Sequence, residues 1–143
     1  GSKTSNKYQK LIKDSIQKFN VQDFVILLGS VSKKNLRFYY SYCDFFIFPS
    51  ECENFAYTLV EAMSCGAPIL SSHGTAMPET CEDAAIYFDI DDINDFSKKI
   101  ELFLKNSDLK NKLKEKSKKR VESLQNYKDV TFKTLKIIKS LVK

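Results

Sequence analysis

Apolar residues recur along this chain in two patterns, short continuous runs and one-sided stripes at helical spacing. Leu11, Ile12, Ser15, Ile16 and Phe19 fall on one face of residues 7–19 and predict a helix there. Phe24–Leu28 is an unbroken apolar run closed by Gly29, the pattern of a strand buried on both faces of a parallel sheet. Residues 33–43 read as helix. Asp44–Ser50 predicts a second short strand, ended by Pro49 because proline has no N–H for the next rung. Residues 56–65 form a compact helix closed by Gly66, which can take the left-handed cap, and Ala67-Pro68 opens a third strand to about Ser71. A short turn of helix near Pro78–Cys81 leads to a fourth strand, Ala85–Phe88. Beyond Asp89 the pattern turns wholly helical. Ile93, Phe96, Ile100, Phe103 and Leu104 mark one amphipathic helix, Leu109, Leu113, Val121 and Leu124 a second, and Lys128–Val142 a last one.

Strands alternating with helices predict βαβ units with right-handed crossovers. The expected class is α/β: a Rossmann-like parallel sheet with helices on both faces, followed by C-terminal helices over 107–143. No stretch of Pro, Gly or Ser is long enough to link two cores, so residues 6–143 are expected to form one domain. Residues 1–5 read as a tag remnant and lead, with neither the apolar core nor the cleavage site of a signal peptide. In open parallel sheets ligands sit at the carboxyl ends of strands, which singles out the loops Gly29–Lys34 and Ser50–Ala56. Neither carries G-x-G-x-x-G or a P-loop, so the ordinary dinucleotide and NTPase readings lose their support.

Composition changes the picture in two places. Apolar runs are too short to span a bilayer, and a cytoplasmic location is expected. The net charge of +5 hides an asymmetry: residues 1–104 carry 10 basic and 14 acidic side chains, residues 105–143 carry 13 and 4. Of the 23 basic residues 21 are Lys, whereas phosphate readers lean on Arg, so a solvated helix face is expected and nucleic acid is not an expected partner. Peripheral contact of this end with an anionic membrane, on its inner face, stays open. Cys43, Cys52, Cys65 and Cys81 lack zinc spacing and, with His73 as the lone histidine, read as free thiols. No Asp-x-Asp pair stands at a strand end, and no metal is expected.

The chemistry concentrates in Pro49-Ser-Glu51-Cys-Glu53-Asn-Phe55-Ala-Tyr-Thr-Leu-Val-Glu61. Glu53 stands at the helix entrance and Glu61 eight positions on, just over two turns, which puts both toward one side of the axis. Between them the backbone N–H groups of residues 54–58 lie at the positive end of the helix dipole, free of internal acceptors. Such an arrangement suits a diphosphate, with carboxylates on either side to accept hydrogen bonds from sugar hydroxyls. A glutamate near a helix N-terminus also complements the dipole, and Glu61 can equally cap a neighbouring segment. On chemistry alone the two readings stand level.

Glu53 and Glu61 together are similar to the E-x7-E motif of retaining glycosyltransferases with the GT-B fold. The wider string resembles the family 4 (glycosyl transferases group 1) signature, in which P-S, E-G-F-G, E-A-M and G-x-P follow one another in this order. Gly74-Thr-Ala-Met-Pro78-Glu79-Thr-Cys-Glu-Asp83-Ala-Ala resembles that family's S-A-L-P-E-V-x-G-D-A-A stretch, and Leu28-Gly-Ser-Val31 its L-G-x-V. The resemblance covers roughly residues 6–142 and implies the nucleotide-sugar-binding C-terminal domain. It implies that Glu61 holds the donor ribose, that Glu53 meets the donor sugar as the catalytic glutamate, and that Asn54, Phe55, Ala56, Tyr57 and Thr58 contact diphosphate and sugar. Gly29, Ser30 and Val31 would lie beside the base. The implied reaction moves a sugar from a UDP- or GDP-linked donor to an acceptor hydroxyl with retention, in cell-surface glycan synthesis, without metal.

Two features depart from the family pattern. Asn54 and Ala56 replace the glycines of E-G-F-G, where a side chain narrows the approach to a ligand, Asn tolerating left-handed angles better than Ala. The Arg and Lys pair that grips the diphosphate in relatives has no counterpart, since neither Arg37 nor Arg120 stands in the required place. The acceptor glycan or lipid-linked glycan would be bound by a missing N-terminal domain, so the chain alone is expected to transfer nothing. The last helix, without its usual partner, is expected to fold onto its own sheet or to pair with a second copy. A non-catalytic nucleotide-sugar-binding or scaffold module and a GT-B-type nucleotide-sugar epimerase remain as alternatives.

Overall fold

In the computed structural model residues 6–124 and 127–141 are described, and they divide between a unit ending at Leu36 and one beginning at Arg37. The lead over 1–5 and the predicted end of the last helix at Val142 lie outside the described residues.

The first unit opens with α1, Asn6–Lys18. Asn20, at φ 52°, takes the left-handed position that ends it, with Val21 N–H returning to Ile16 O and Asn20 N–H to Gln17 O, both at 3.1 Å. The run Phe24–Leu28 corrects the sequence reading, because it forms no strand. A strand exists only through a ladder, and among the described residues these five have no ladder partner. Phe24 and Ile26 are 86% and 82% exposed, so the apolar run is not buried on either face. Ser32 then caps the next helix, α2 (Lys33–Tyr42), accepting from Asn35 N–H at 3.3 Å.

The second unit is built on three parallel strands, β1 (Phe46–Phe48), β2 (Ile69–Ser72) and β3 (Ala85–Phe88), in that spatial order. Ile47 stands opposite Leu70, and Leu70 opposite Ile86. Every residue of the central β2 is buried, as a strand covered on both faces requires. Since the strands are parallel and in sequence order, their right-handed crossovers, carrying α3 (Tyr57–Ser64) and α4 (Met77–Cys81), pass on one face. The other face receives α5 (Ile93–Lys105) and part of α6 (Ser107–Ser123): Leu70, Phe88, Phe103 and Leu113 are buried there, with Phe96 and Ile100 packed against them. Helices on both faces of a parallel sheet are the class that the sequence predicts.

The helices are closed by local caps, of which the sequence reading names Gly66. Gly66, at φ 76°, closes α3 through Ala67 N–H to Ala62 O and Gly66 N–H to Met63 O, the same closure that Asn20 gives α1. Asp92 caps α5 by accepting from the N–H groups of Asn94 and Asp95, and Asn106 caps α6 by accepting from Leu109 N–H. Part of the lysine-rich end is turned onto the protein's own carboxylates, Lys110 to Asp44 at 3.3 Å and Lys116 to Asp83 at 2.9 Å. The last helix, α7 (Tyr127–Leu141), keeps Phe132, Ile137 and Leu141 exposed and so does not fold its apolar stripe onto the sheet. Among the described residues no helix is long and apolar enough to cross a membrane.

Candidate functional site

The carboxyl end of β1 is laced to the carboxyl end of β2. Ser72, the last residue of β2, donates its hydroxyl to Ser50 O at 2.5 Å. Thr75 accepts from Glu53 N–H at 2.9 Å and donates to Glu53 O at 2.8 Å. Between these ties Gly74 presses against the loop after β1, so closely that a Cβ there would lie 2.7 Å from Glu51 O and 2.6 Å from Met77 Cε. The turn is held from behind as well, with His73 N–H donating to Phe88 O at 2.9 Å.

Within this frame Glu53 is half-buried, and its Oε1 accepts from the Ser50 hydroxyl at 2.9 Å. Its placement differs from the helical geometry that the spacing to Glu61 suggests. The helix begins only at Tyr57, so Glu53 sits in the preceding loop and is positioned by side chains from two strand ends, not by the turn of α3. Glu61 lies in the second turn of α3 and is exposed. Tyr40 is buried with its ring edge-on to Phe46 at 5.1 Å, and burial, then the Glu61 charge, push its hydroxyl pKa up.

No side chain caps the start of α3, and no acidic residue stands in its first turn. Among the described residues the N–H groups of Asn54, Phe55, Ala56 and Thr58 have no acceptor, which leaves them for a ligand or water. Tyr57 is the exception to the sequence reading, because its N–H closes a tight turn onto Phe55 O at 3.0 Å. The Phe55 and Tyr57 rings meet edge-on at 4.7 Å on the surface.

The two replacements of glycine are accommodated. Ala56 has φ −84° and ψ 71°, a backbone open to any L-residue, and its methyl is buried. Asn54 is not among the residues at positive φ, which apart from glycine are Asn20 and Glu82 among the described residues. Neither position needs glycine in this loop shape.

Gly29, Ser30 and Val31 belong to the first unit. Gly29 turns the chain at φ 66°, with Ser30 exposed and Val31 half-buried after it.

Two features escape the sequence reading. A cleft of about 430 Å³ opens past the ends of β2 and β3, lined by Glu51, His73, Gly74, Tyr87 and Asp89 among others. Its signal in the sequence is only that each segment follows a strand end. Arg120 is the other: its guanidinium donates to Glu79 O at 2.7 Å and Thr80 O at 3.0 Å and pairs with Glu82 at 2.8 Å. A charge some 40 residues away in sequence thus satisfies the last carbonyls of α4 and fixes the Pro78-Glu79 turn. Spacing along one chain gives no hint of that partner.

All four cysteines are free. Burial pushes the Cys81 thiol up to about 12, with Arg120 offsetting only part of it, the opposite of what a nucleophile needs. Among the described residues no group of three or more His, Cys, Asp or Glu is placed to hold a metal ion.

Residues 1–120 match the family described as Glycosyl transferases group 1. The O-antigen chain mannosyltransferase B of Escherichia coli is 34% identical over 76 residues, 53% of this chain and 20% of that protein. The alpha-monoglucosyldiacylglycerol synthase of Streptococcus pneumoniae is 33% identical over 67 residues, 47% of this chain and 15% of that protein. Among solved structures, sucrose-phosphate synthase from Thermosynechococcus elongatus superposes with a TM-score of 0.84 at 24% identity, over 95% of this chain and 35% of that one. The chain therefore aligns with a fifth or less of the length of these curated relatives. A parallel sheet with helices on both faces, the fold match and the family match over residues 1–120 agree: the chain belongs to the glycosyl transferases group 1 family.

Proposed function

We propose that this chain is the donor-binding part of a retaining glycosyltransferase that takes a sugar from a nucleoside-diphosphate donor. The observation that carries the reading is the loop between β1 and α3, where a held carboxylate, Glu53, adjoins N–H groups without acceptors at an uncapped helix start. The donor's diphosphate suits the N–H groups of residues 54–56 and 58, because the helix dipole and unpaired donors both favour negative charge. Glu53 accepts from hydroxyls of the donor sugar, and Glu61 from the ribose. As the bond between anomeric carbon and diphosphate breaks, negative charge grows on the leaving oxygen, and donors already aimed there stabilise it without reorganisation. No metal is assigned to this step. The acceptor hydroxyl is presented by protein outside this chain, and the names of the relatives favour a cell-surface glycan or glycolipid as product.

The test is ligand-observed NMR of the chain with UDP-glucose and GDP-mannose, with Glu61→Ala as control. Binding to one of them that the substitution abolishes is the expected result. Equal binding by the parent and Glu61→Ala would remove the ribose role of Glu61 and the placement of the nucleotide at α3.

A further inference from the structure

We propose that Thr75 is the positioning residue for Glu53, an assignment that rests on the donor-binding reading above. The Thr75 hydroxyl accepts from Glu53 N–H at 2.9 Å and donates to Glu53 O at 2.8 Å. One side-chain oxygen thereby engages both backbone groups of one residue, as a neighbouring strand does in a ladder. Glu53 belongs to no helix or strand, so tethers from elsewhere decide where it sits. Thr75 fixes the point from which the Glu53 side chain starts, and the Ser50 hydroxyl, 2.9 Å from Oε1, fixes the rotation of the carboxylate. Among the described residues Oε2 has no partner, and it is the oxygen left to accept a sugar hydroxyl.

The tether is itself anchored. His73 N–H is tied to Phe88 O at the end of β3, and Met77 N–H donates to Gly74 O at 3.2 Å. Arg120 holds the next turn through Glu79 O and Thr80 O. Thr75 therefore ties the loop that carries Glu53 to a turn anchored on the sheet and on α6. The Thr75–Glu53 bonds are exposed, where such bonds add little to stability, so their removal should act on the geometry of Glu53 more than on the fold.

The experiment compares the chain with Thr75→Val, which keeps the shape and loses the hydroxyl, and Thr75→Ser, which keeps the hydroxyl. Each is titrated with UDP, UDP-glucose, GDP and GDP-mannose, and its thermal midpoint is recorded. Thr75→Val should bind the plain nucleoside diphosphate as the parent does and lose about tenfold in affinity for the sugar nucleotide, the loss expected for one hydrogen bond to a charged group. Thr75→Ser should restore it. A Thr75→Val chain that keeps the parent's sugar-nucleotide affinity, or that loses diphosphate and sugar-nucleotide binding equally, would overturn the assignment, as would a parent to whose affinity the sugar adds nothing. A parent that binds neither form overturns the donor-binding reading, and this assignment with it.

Discussion

Two segments that the sequence reads as buried strands meet opposite fates in this chain. Ile69–Ser72 is the fully buried centre of the sheet, while Phe24–Leu28, longer and more apolar, forms no strand and leaves Phe24 and Ile26 almost wholly exposed. The difference lies in neighbours. Residues 69–72 have β1 on one side and β3 on the other, and the segments around them are fixed by Gly66, by the Ser72 and Thr75 hydroxyls and by Arg120. Apolar character creates the need for burial, and only ladder partners and covering helices satisfy it.

The comparison breaks most visibly at Leu70. Leu70→Ala should cost about 3 kcal/mol in thermal unfolding, whereas Ile26→Ser should stay within about 0.5 kcal/mol. Equal losses would mean that residues 24–28 are as buried in solution as β2. The next effect belongs to the brace behind the β2–β3 connection: Arg120→Ala leaves two carbonyls and Glu82 without their partner and should lower stability by about 2 kcal/mol, read as a shifted denaturant midpoint at constant slope.

The smallest effect is alkaline. The Cys81 thiol, raised from 9.0 to about 12, binds its proton more tightly in the folded chain than in the unfolded one. Stability from this group is complete below pH 9 and falls as pH rises from there toward 12, because the unfolded chain ionises first. Unfolding midpoints should drop by roughly 1 kcal/mol equivalent by pH 10, and Cys81→Ala should reduce that slope, the remainder coming from the Cys43 thiol, which burial also raises. A parent chain with no such decline would place Cys81 outside the buried set.

Much of this architecture is legible in the sequence, for reasons that differ by element. Helix ends are local: Gly66, read as a cap in the sequence, closes α3, and Asp92 and Asn106, which the sequence reading did not single out, cap α5 and α6 through partners within five residues. The three strands that form are short, but each is bounded by proline, glycine or an acidic residue. The failure at Phe24–Leu28 follows from the same logic, since periodicity reports which side chains seek burial and not whether a neighbouring strand is there to pair. At the site, the types of Glu53 and Glu61 and their spacing are readable from the sequence, whereas the geometry is not. Spacing suggests that both point to one side of the helix axis, with Glu53 held at the helix entrance. The structure puts Glu53 in a loop held by Ser50 and by Thr75, 22 residues further along. Arg120 is hidden for the same reason, its partners being carbonyls that no side-chain pattern records.

Gly74 has a further consequence, for how this loop can vary. Its hydrogen stands where even a methyl would collide with Glu51 O, so the turn after β2 and the loop after β1 cannot drift independently. Alanine or anything larger at position 74 must shift either the turn itself or the strand-end loop that carries Glu53. Any change at this residue therefore reaches the loop that carries Glu53, although Gly74 has no functional group at all.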